Sequence, residues 1–278
     1  MRNRNVWFAW LMRLPTKLLL GIMCAGIVAA CGANAVAIDS AVINTRVFND
    51  NPGSVLATTN SYPALVKISD TPTGTSLGFA NLHNFHLADG VVAHAFANNE
   101  AFAFSADLTI SGAGEAEAGL LIAPWWSQNA DGRLNFRTTD GEIAAFGGRL
   151  PFYSFTGSQG IHYIKGETVR AGVYYNPNSL SMADPATIQF NLTIGANNYT
   201  SGPLAFDEGN AAEGFGSWGH LDDARVGGFV QVFTGQSGDG NNVTATWENM
   251  RFGVPEPTTF VLFGLAIVGL TGIRRRSS

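Results

Sequence analysis

Between residues 38 and 253 apolar residues recur at every second position, and that period decides what this part of the chain can become. Phe102, Phe104, Ala106, Leu108 and Ile110 alternate with Ala103, Ser105, Asp107 and Thr109. Ile188, Phe190, Leu192 and Ile194 alternate with Gln189, Asn191 and Thr193, and Val169, Ala171, Val173 and Tyr175 repeat the pattern. Successive side chains of a strand point to opposite faces, so each run offers one apolar face to a core and a wetter face outward. Turn residues fill the gaps: Asp89 and Gly90, Asp131 and Gly132, Asp140 and Gly141, Asn176 to Asn178 around Pro177, Asp239 and Gly240. The pair Asp140 and Gly141 joins short runs at 133–138 and 142–146, which predicts a hairpin. No amphipathic helix of three turns is written anywhere between 38 and 253. The pattern predicts an all-β antiparallel sandwich, and 33 glycines and 19 phenylalanines suit its tight corners and aromatic packing.

Both ends carry a different instruction. Arg2, Arg4, Arg13 and Lys17 form a basic region before an apolar stretch at 18–30, and Ala35, Val36 and Ala37 make a small-x-small cleavage site. Residues 1–37 are therefore expected to be a signal helix removed on export. An uncleaved N-terminal helix competes with this reading, and so does lipidation at Cys31, which follows Val28, Ala29 and Ala30. At the other end Val254, Pro255, Glu256 and Pro257 precede sixteen uncharged residues, 258–273, and then Arg274, Arg275 and Arg276. Proline can continue neither a helix nor a ladder, so the acidic motif stays extended beside the apolar segment. As a helix that segment spans roughly 24 Å, a little short of a hydrocarbon core of about 30 Å. Snorkelling arginines make up the difference and hold that end in the cytoplasm. A transmembrane helix at 258–273 is expected.

The tail at 254–278 resembles the PEP-CTERM sorting signal of Gram-negative bacteria that make exopolysaccharide. Pro255, Glu256 and Pro257 match its motif, and Arg274, Arg275 and Arg276 its basic stop. The resemblance implies an exosortase as partner and an inner-membrane anchorage that ends when the tail is cut. It implies a final place at the cell surface or in the extracellular matrix, in contact with exopolysaccharide. A plain C-terminal anchor is the competing reading. Signal peptidase and the secretion translocon are the partners implied at the other end. The body of the chain resembles concanavalin A-like jelly rolls, shared by legume lectins and laminin G-type modules. That likeness rests on 102–110, 118–124, 168–175, 188–194 and 243–252. In the last of these the hydrophobic phase slips near Asn249, which predicts a β-bulge. An immunoglobulin-like sandwich would share much of this strand rhythm.

Charge excludes some functions. The span 38–253 holds nine Lys or Arg against twenty Asp or Glu, a net of −11, because seven of the chain's 16 basic residues lie in the two ends. Such a domain repels nucleic acid, and it repels acidic polysaccharide unless divalent cations bridge them. Cys24 and Cys31 both fall before the cleavage site, so the mature domain is expected to contain no disulfide.

Candidates for chemistry are few. Glu115 and Glu117 would share one strand face, as paired acids of glycosidases do, but Gly112 and Gly114 beside them suggest a solvated turn. His83 and His86 sit three apart, which places them on opposite faces of a strand and argues against a shared metal. His220 with Asp222 and Asp223 is the better cluster, and calcium through Asn129, Asp131 or Asp239 is the one cofactor the loops suggest. No nucleophile, zinc-protease or phosphate-loop motif occurs. The domain is therefore expected not to be an enzyme. Weak glycan binding is expected instead, by ring stacking on Trp125, Trp126, Tyr174, Tyr175 or Trp218, the first four entering polar loops in pairs. Three functional classes stand: a structural protein of the surface or matrix, a lectin-like binder, and a secreted glycan-active enzyme with the same tail.

Overall fold

The computed structural model describes residues 37–74, 78–123, 132–206, 218–220 and 224–254. Sixteen strands and two short helices occur among them. In chain order they are β1 (Ser40–Phe48), β2 (Val55–Ser61), β3 (Leu65–Thr71), β4 (Ala80–Asp89), β5 (Val92–Ala93), β6 (Phe102–Ser111), β7 (Ala116–Ala123) and β8 (Gly132–Arg137). There follow β9 (Ile143–Phe146), β10 (Tyr153–Ser154), α1 (Phe155–Gln159), β11 (Thr168–Asn176), β12 (Thr187–Ile194), β13 (Asn197–Thr200) and β14 (Leu204–Ala205). The last elements are β15 (Arg225–Phe233), α2 (Thr234–Ser237) and β16 (Val243–Gly253).

The strands form two antiparallel sheets. Sheet A runs β1-β4-β15-β7-β8-β9-β10, with β5 on β4, and sheet B runs β13-β12-β11-β6-β16-β3-β2, with β14 on β12. Hairpins build β2 to β3, β4 to β5, β7 to β10 and β11 to β13, and elsewhere non-consecutive strands stand side by side because the chain crosses from one sheet to the other. The three clean alternations become β6, β12 and β11, neighbours in sheet B. Their apolar halves face inward, and Phe104, Leu108, Phe190 and Leu192 are all buried. The hairpin around Asp140 and Gly141 forms as expected between β8 and β9, with Gly141 at φ 76°. The bulge also forms: the register of β16 on β6 shifts between Glu248 and Arg251, and Asn249 sits at φ 50°.

Trp247 joins the sheets. It comes from β16 in sheet B, is fully buried, and meets Phe85 of sheet A edge-on, ring centroids 5.2 Å apart. Its indole N–H donates to the Gly119 carbonyl of sheet A at 3.1 Å. Gly228 makes this approach possible, since a Cβ there would lie 2.5 Å from the Phe85 ring and 2.7 Å from the indole. The expected signal and transmembrane helices lie outside the described residues. Among the described residues no helix is long and apolar enough to cross a membrane.

Candidate functional site

Sheet B turns an ordinary surface to water. Its outward residues pair with one another: Thr109 with Thr168 at 2.7 Å, Ser69 with Thr244 at 2.6 Å, Arg170 with Asp107 at 2.9 Å. The face of sheet A turned away from the core is different. Register aligns three rows of side chains across it. His86, Gly227, Leu121 and Arg133 make the first row. Asn44, Asn84, Phe229, Gly119 and Asn135 make the second. Leu82, Gln231, Glu117 and Arg137 make the third. Asn84, His86, Arg133 and Asn135 are buried although they face away from the core. Leu82, Leu121 and Phe229 form a small apolar cluster of their own on this face.

Some of the polar groups here are paired, and others are buried without a partner. Arg133 lies 4.8 Å from the centre of the Phe229 ring, and its guanidinium donates to Gln231 Oε1 at 2.7 Å. Asn44 Nδ2 donates to Asn84 Oδ1 at 2.9 Å and lies 3.1 Å from His86 Nδ1. With Nδ1 accepting, the His86 proton is on Nε2, which is buried and has no partner. Burial, reinforced by the charge of Arg225, pushes the His86 pKa down to about 4, so the ring is neutral. Asn135 approaches Glu117 closely enough to favour its ionised form, but neither amide atom makes a hydrogen bond of normal geometry. Buried polar atoms without partners are rare in folded proteins and call for an explanation.

Glu117 sits at the centre of this third row. Burial raises its pKa, against the pull of Arg133 and Arg137, and Arg137 Nη1 lies 3.8 Å from its carboxylate. Its side chain keeps 13% of its surface open to solvent. Glu115, two residues earlier, behaves oppositely. Burial opposes its ionisation, but Lys165 at 2.7 Å and the Thr138 hydroxyl hold its carboxyl below the usual range. The expected pair of solvated turn glutamates is thus two half-buried groups whose proton affinities are driven apart, the arrangement from which acid and base roles arise.

The other residues singled out from sequence scatter. Trp125, Trp126, Asn129, Asp131, Asp222 and Asp223 lie outside the described residues. Tyr175 is core: it is fully buried, its hydroxyl donates to Asn98, and its ring lies tilted against His220, centroids 4.1 Å apart. Tyr174 points from β11 into solvent on sheet B. Trp218 is half-buried with φ 59°, and its carbonyl accepts from the Ala186 N–H at 2.8 Å. Asp239 accepts from the Gly74 N–H at 2.6 Å and fastens a loop. His83 and His86 do take opposite faces of β4, one inward and one outward. Arg133, Asn135, Asn84 and Gln231 were missed. A signal for the first two existed, since Arg133, Asn135 and Arg137 alternate with Leu134 and Phe136 in a strand already read as half of a hairpin.

No curated protein sequence matches the chain. Among solved structures it is similar to an alginate lyase from Klebsiella pneumoniae, with TM-score 0.44, 11% identity, and coverage of 72% of this chain and 84% of that one. It is similar to arcelin-5, a lectin-like defense protein from Phaseolus vulgaris, with TM-score 0.40, 12% identity, and coverage of 78% and 100%. Lectin II from Ulex europaeus matches with TM-score 0.40, 9% identity, and coverage of 78% and 100%. The expectation that the domain is not an enzyme is corrected by this comparison, because lyases, one a member of polysaccharide lyase family 7, stand beside lectins among the matching structures. The resemblance of the C-terminal end is shown directly: residues 253–276 match the PEP-CTERM protein-sorting motif, which marks an exported chain processed by exosortase.

Proposed function

We propose that this protein acts on an acidic polysaccharide across the outer face of sheet A after export, with Glu117 as the proton-transferring group. The observation that carries the reading is Glu117 itself. It is a carboxyl whose pKa is raised by burial, set between Arg133 and Arg137 and beside the unpartnered amide of Asn135. A carboxyl tuned upward can hold a proton nearer neutral pH and give it up in a transition state. The charge is informative as well. The span 38–253 is strongly acidic, yet three of its nine basic residues, Arg133, Arg137 and Arg225, lie on this face. Guanidinium groups take carboxylates in two-pronged contacts. Arg137 is already paired with Asp140 and Glu142, so the repulsion of acidic polysaccharide expected from net charge is reduced on this face and not abolished.

The rest of the reading concerns delivery. The signal is cut after Ala37, the domain at 38–253 folds outside the cytoplasm, and the tail holds it at the inner membrane until the exosortase acts near Pro255, Glu256 and Pro257. Tyr174 and Trp218 are outlying rings for sugar stacking. The test is to incubate the processed protein with uronic-acid polysaccharides and with neutral glucans, and to follow new chain ends and retention in affinity electrophoresis. Wild type is expected to cleave or shorten the acidic chains only. Glu117→Gln should abolish new ends and keep retention, whereas Arg133→Ala should weaken retention. A wild-type protein that neither cleaves nor retains any acidic chain overturns the proposal. An unsaturated end group would identify elimination, a saturated one hydrolysis.

A further inference from the structure

Where β1 leaves sheet A, its loop runs in front of the seam between the two sheets, and three metal-capable residues meet there. Asp50 comes from that loop, Asp70 from β3 of sheet B and His83 from β4 of sheet A. One candidate donor atom of each lies within 4.8 Å of the other two. Asp70 and His83 are fully buried, and Asp50 nearly so. None of these residues belongs to the polysaccharide face, since His83 points inward from β4.

The proton positions can be assigned. The Arg46 backbone N–H donates to His83 Nδ1 at 2.8 Å, so that nitrogen carries a lone pair and the ring is neutral with its proton on Nε2. Nε2 then donates to Asp70 Oδ2 at 3.1 Å, and Asn81 donates to the same oxygen at 2.6 Å. Burial opposes the Asp70 charge, but hydrogen bonds, those from His83 and Asn81 first, prevail and hold the carboxyl below its usual range. Arg46 is the cation beside the group, and it is engaged on the loop side: its guanidinium binds Asp50 Oδ2, the Asn51 carbonyl at 2.9 Å and the Ser54 carbonyl at 2.8 Å. Asp50 is paired with this guanidinium, whereas the charge of the fully buried Asp70 is held by hydrogen bonds. The two remaining oxygens, Asp50 Oδ1 and Asp70 Oδ1, are buried and make no hydrogen bond. Buried carboxylate oxygens left without a partner are costly, and a bound cation would supply one to both.

We propose that Asp50 and Asp70 bind a calcium ion through these two oxygens, and that the ion ties the β1–β2 loop to the seam of the sandwich. The donor chemistry selects the metal. Oxygen donors suit hard cations, and calcium accepts the irregular geometry and backbone carbonyls that a loop supplies. Zinc would need the His83 Nε2 lone pair, which the Arg46 N–H on Nδ1 withholds. His83 is accordingly a positioning residue that orients Asp70.

The experiment compares the exported, processed protein in chelator, calcium, magnesium and zinc by thermal unfolding and isothermal calorimetry. Calcium about a hundredfold above its dissociation constant is expected to raise the midpoint by several degrees, with magnesium weaker. Asp50→Asn, a change at the loop and not in the sheets, should fold, lose the calcium increment and show no calorimetric binding. Asp70→Asn should do the same, and should it fail to fold, the Asp50 variant alone decides. An unchanged wild-type midpoint in calcium overturns the proposal. So does an Asp50→Asn protein that keeps the full increment, or a zinc effect larger than that of calcium. Polysaccharide cleavage plays no part in this readout, so either proposal can fail without the other.

Discussion

If Trp247 is the post between the sheets, its removal should cost a large share of the domain's stability, and the loss should divide in a definite way. The ring is fully buried against Phe85 and against the bare backbone of Gly228, and its N–H reaches the Gly119 carbonyl at 3.1 Å. A buried indole hides on the order of 200 Å², which at about 25 cal/mol/Å² corresponds to roughly 5 kcal/mol, in line with the 3–5 kcal/mol found for large aromatic truncations in cores. The hydrogen bond contributes about 1 kcal/mol. Trp247→Ala should therefore cost about 5 kcal/mol, against a total of about 5–15 kcal/mol for an ordinary domain. Trp247→Phe keeps most of the ring area and loses the N–H, so about 2 kcal/mol is expected. Urea unfolding followed by circular dichroism measures both, provided that the slope stays constant while the midpoint moves. The reasoning fails if the Ala variant loses less than about 1 kcal/mol, or if Phe costs as much as Ala.

Two further outcomes are expected. The folded pKa of His86, about 4, lies below the ordinary 6.5, so the unfolded chain binds more protons between these values and stability falls as pH falls through that window. Full protonation is worth about 3 kcal/mol, and His86→Gln should flatten that part of a stability-against-pH curve; an unchanged slope would place the titration elsewhere. At the tail, replacing Pro255 and Pro257 by Ala and Glu256 by Gln should leave a full-length, membrane-held protein on immunoblots of fractionated cells. Processing at the wild-type rate would show that a different feature is recognised.

How much of this was legible before folding depends on how local each feature is. The alternation of Phe102 to Ile110, the glycine turn after Asp140 and the slip at Asn249 are written in neighbouring residues, because side-chain direction and turn geometry depend on a few adjacent dihedrals. The sorting tail was legible for a stronger reason: an extended proline-flanked motif is recognised as a linear string and needs no tertiary partner. The outer face of sheet A could not be read in this way. Asn44, Asn84, Glu117, Asn135 and Gln231 become neighbours only through the register of five strands that the chain visits out of order. Glu117 in isolation looks like a solvated glutamate beside glycines, and only its burial in the folded sheet, against the opposing pull of Arg133 and Arg137, raises its proton affinity. The Asp50, Asp70 and His83 group depends on the same step, since its members come from a loop and from both sheets. Sequence by itself determined the all-β class, the strand faces and the export tail, because those are set by short-range periodicity and linear pattern. Which polar groups meet, and how their charges shift, was decided by the tertiary structure, because hydrogen-bond register and desolvation are properties of residues brought together from distant parts of the chain.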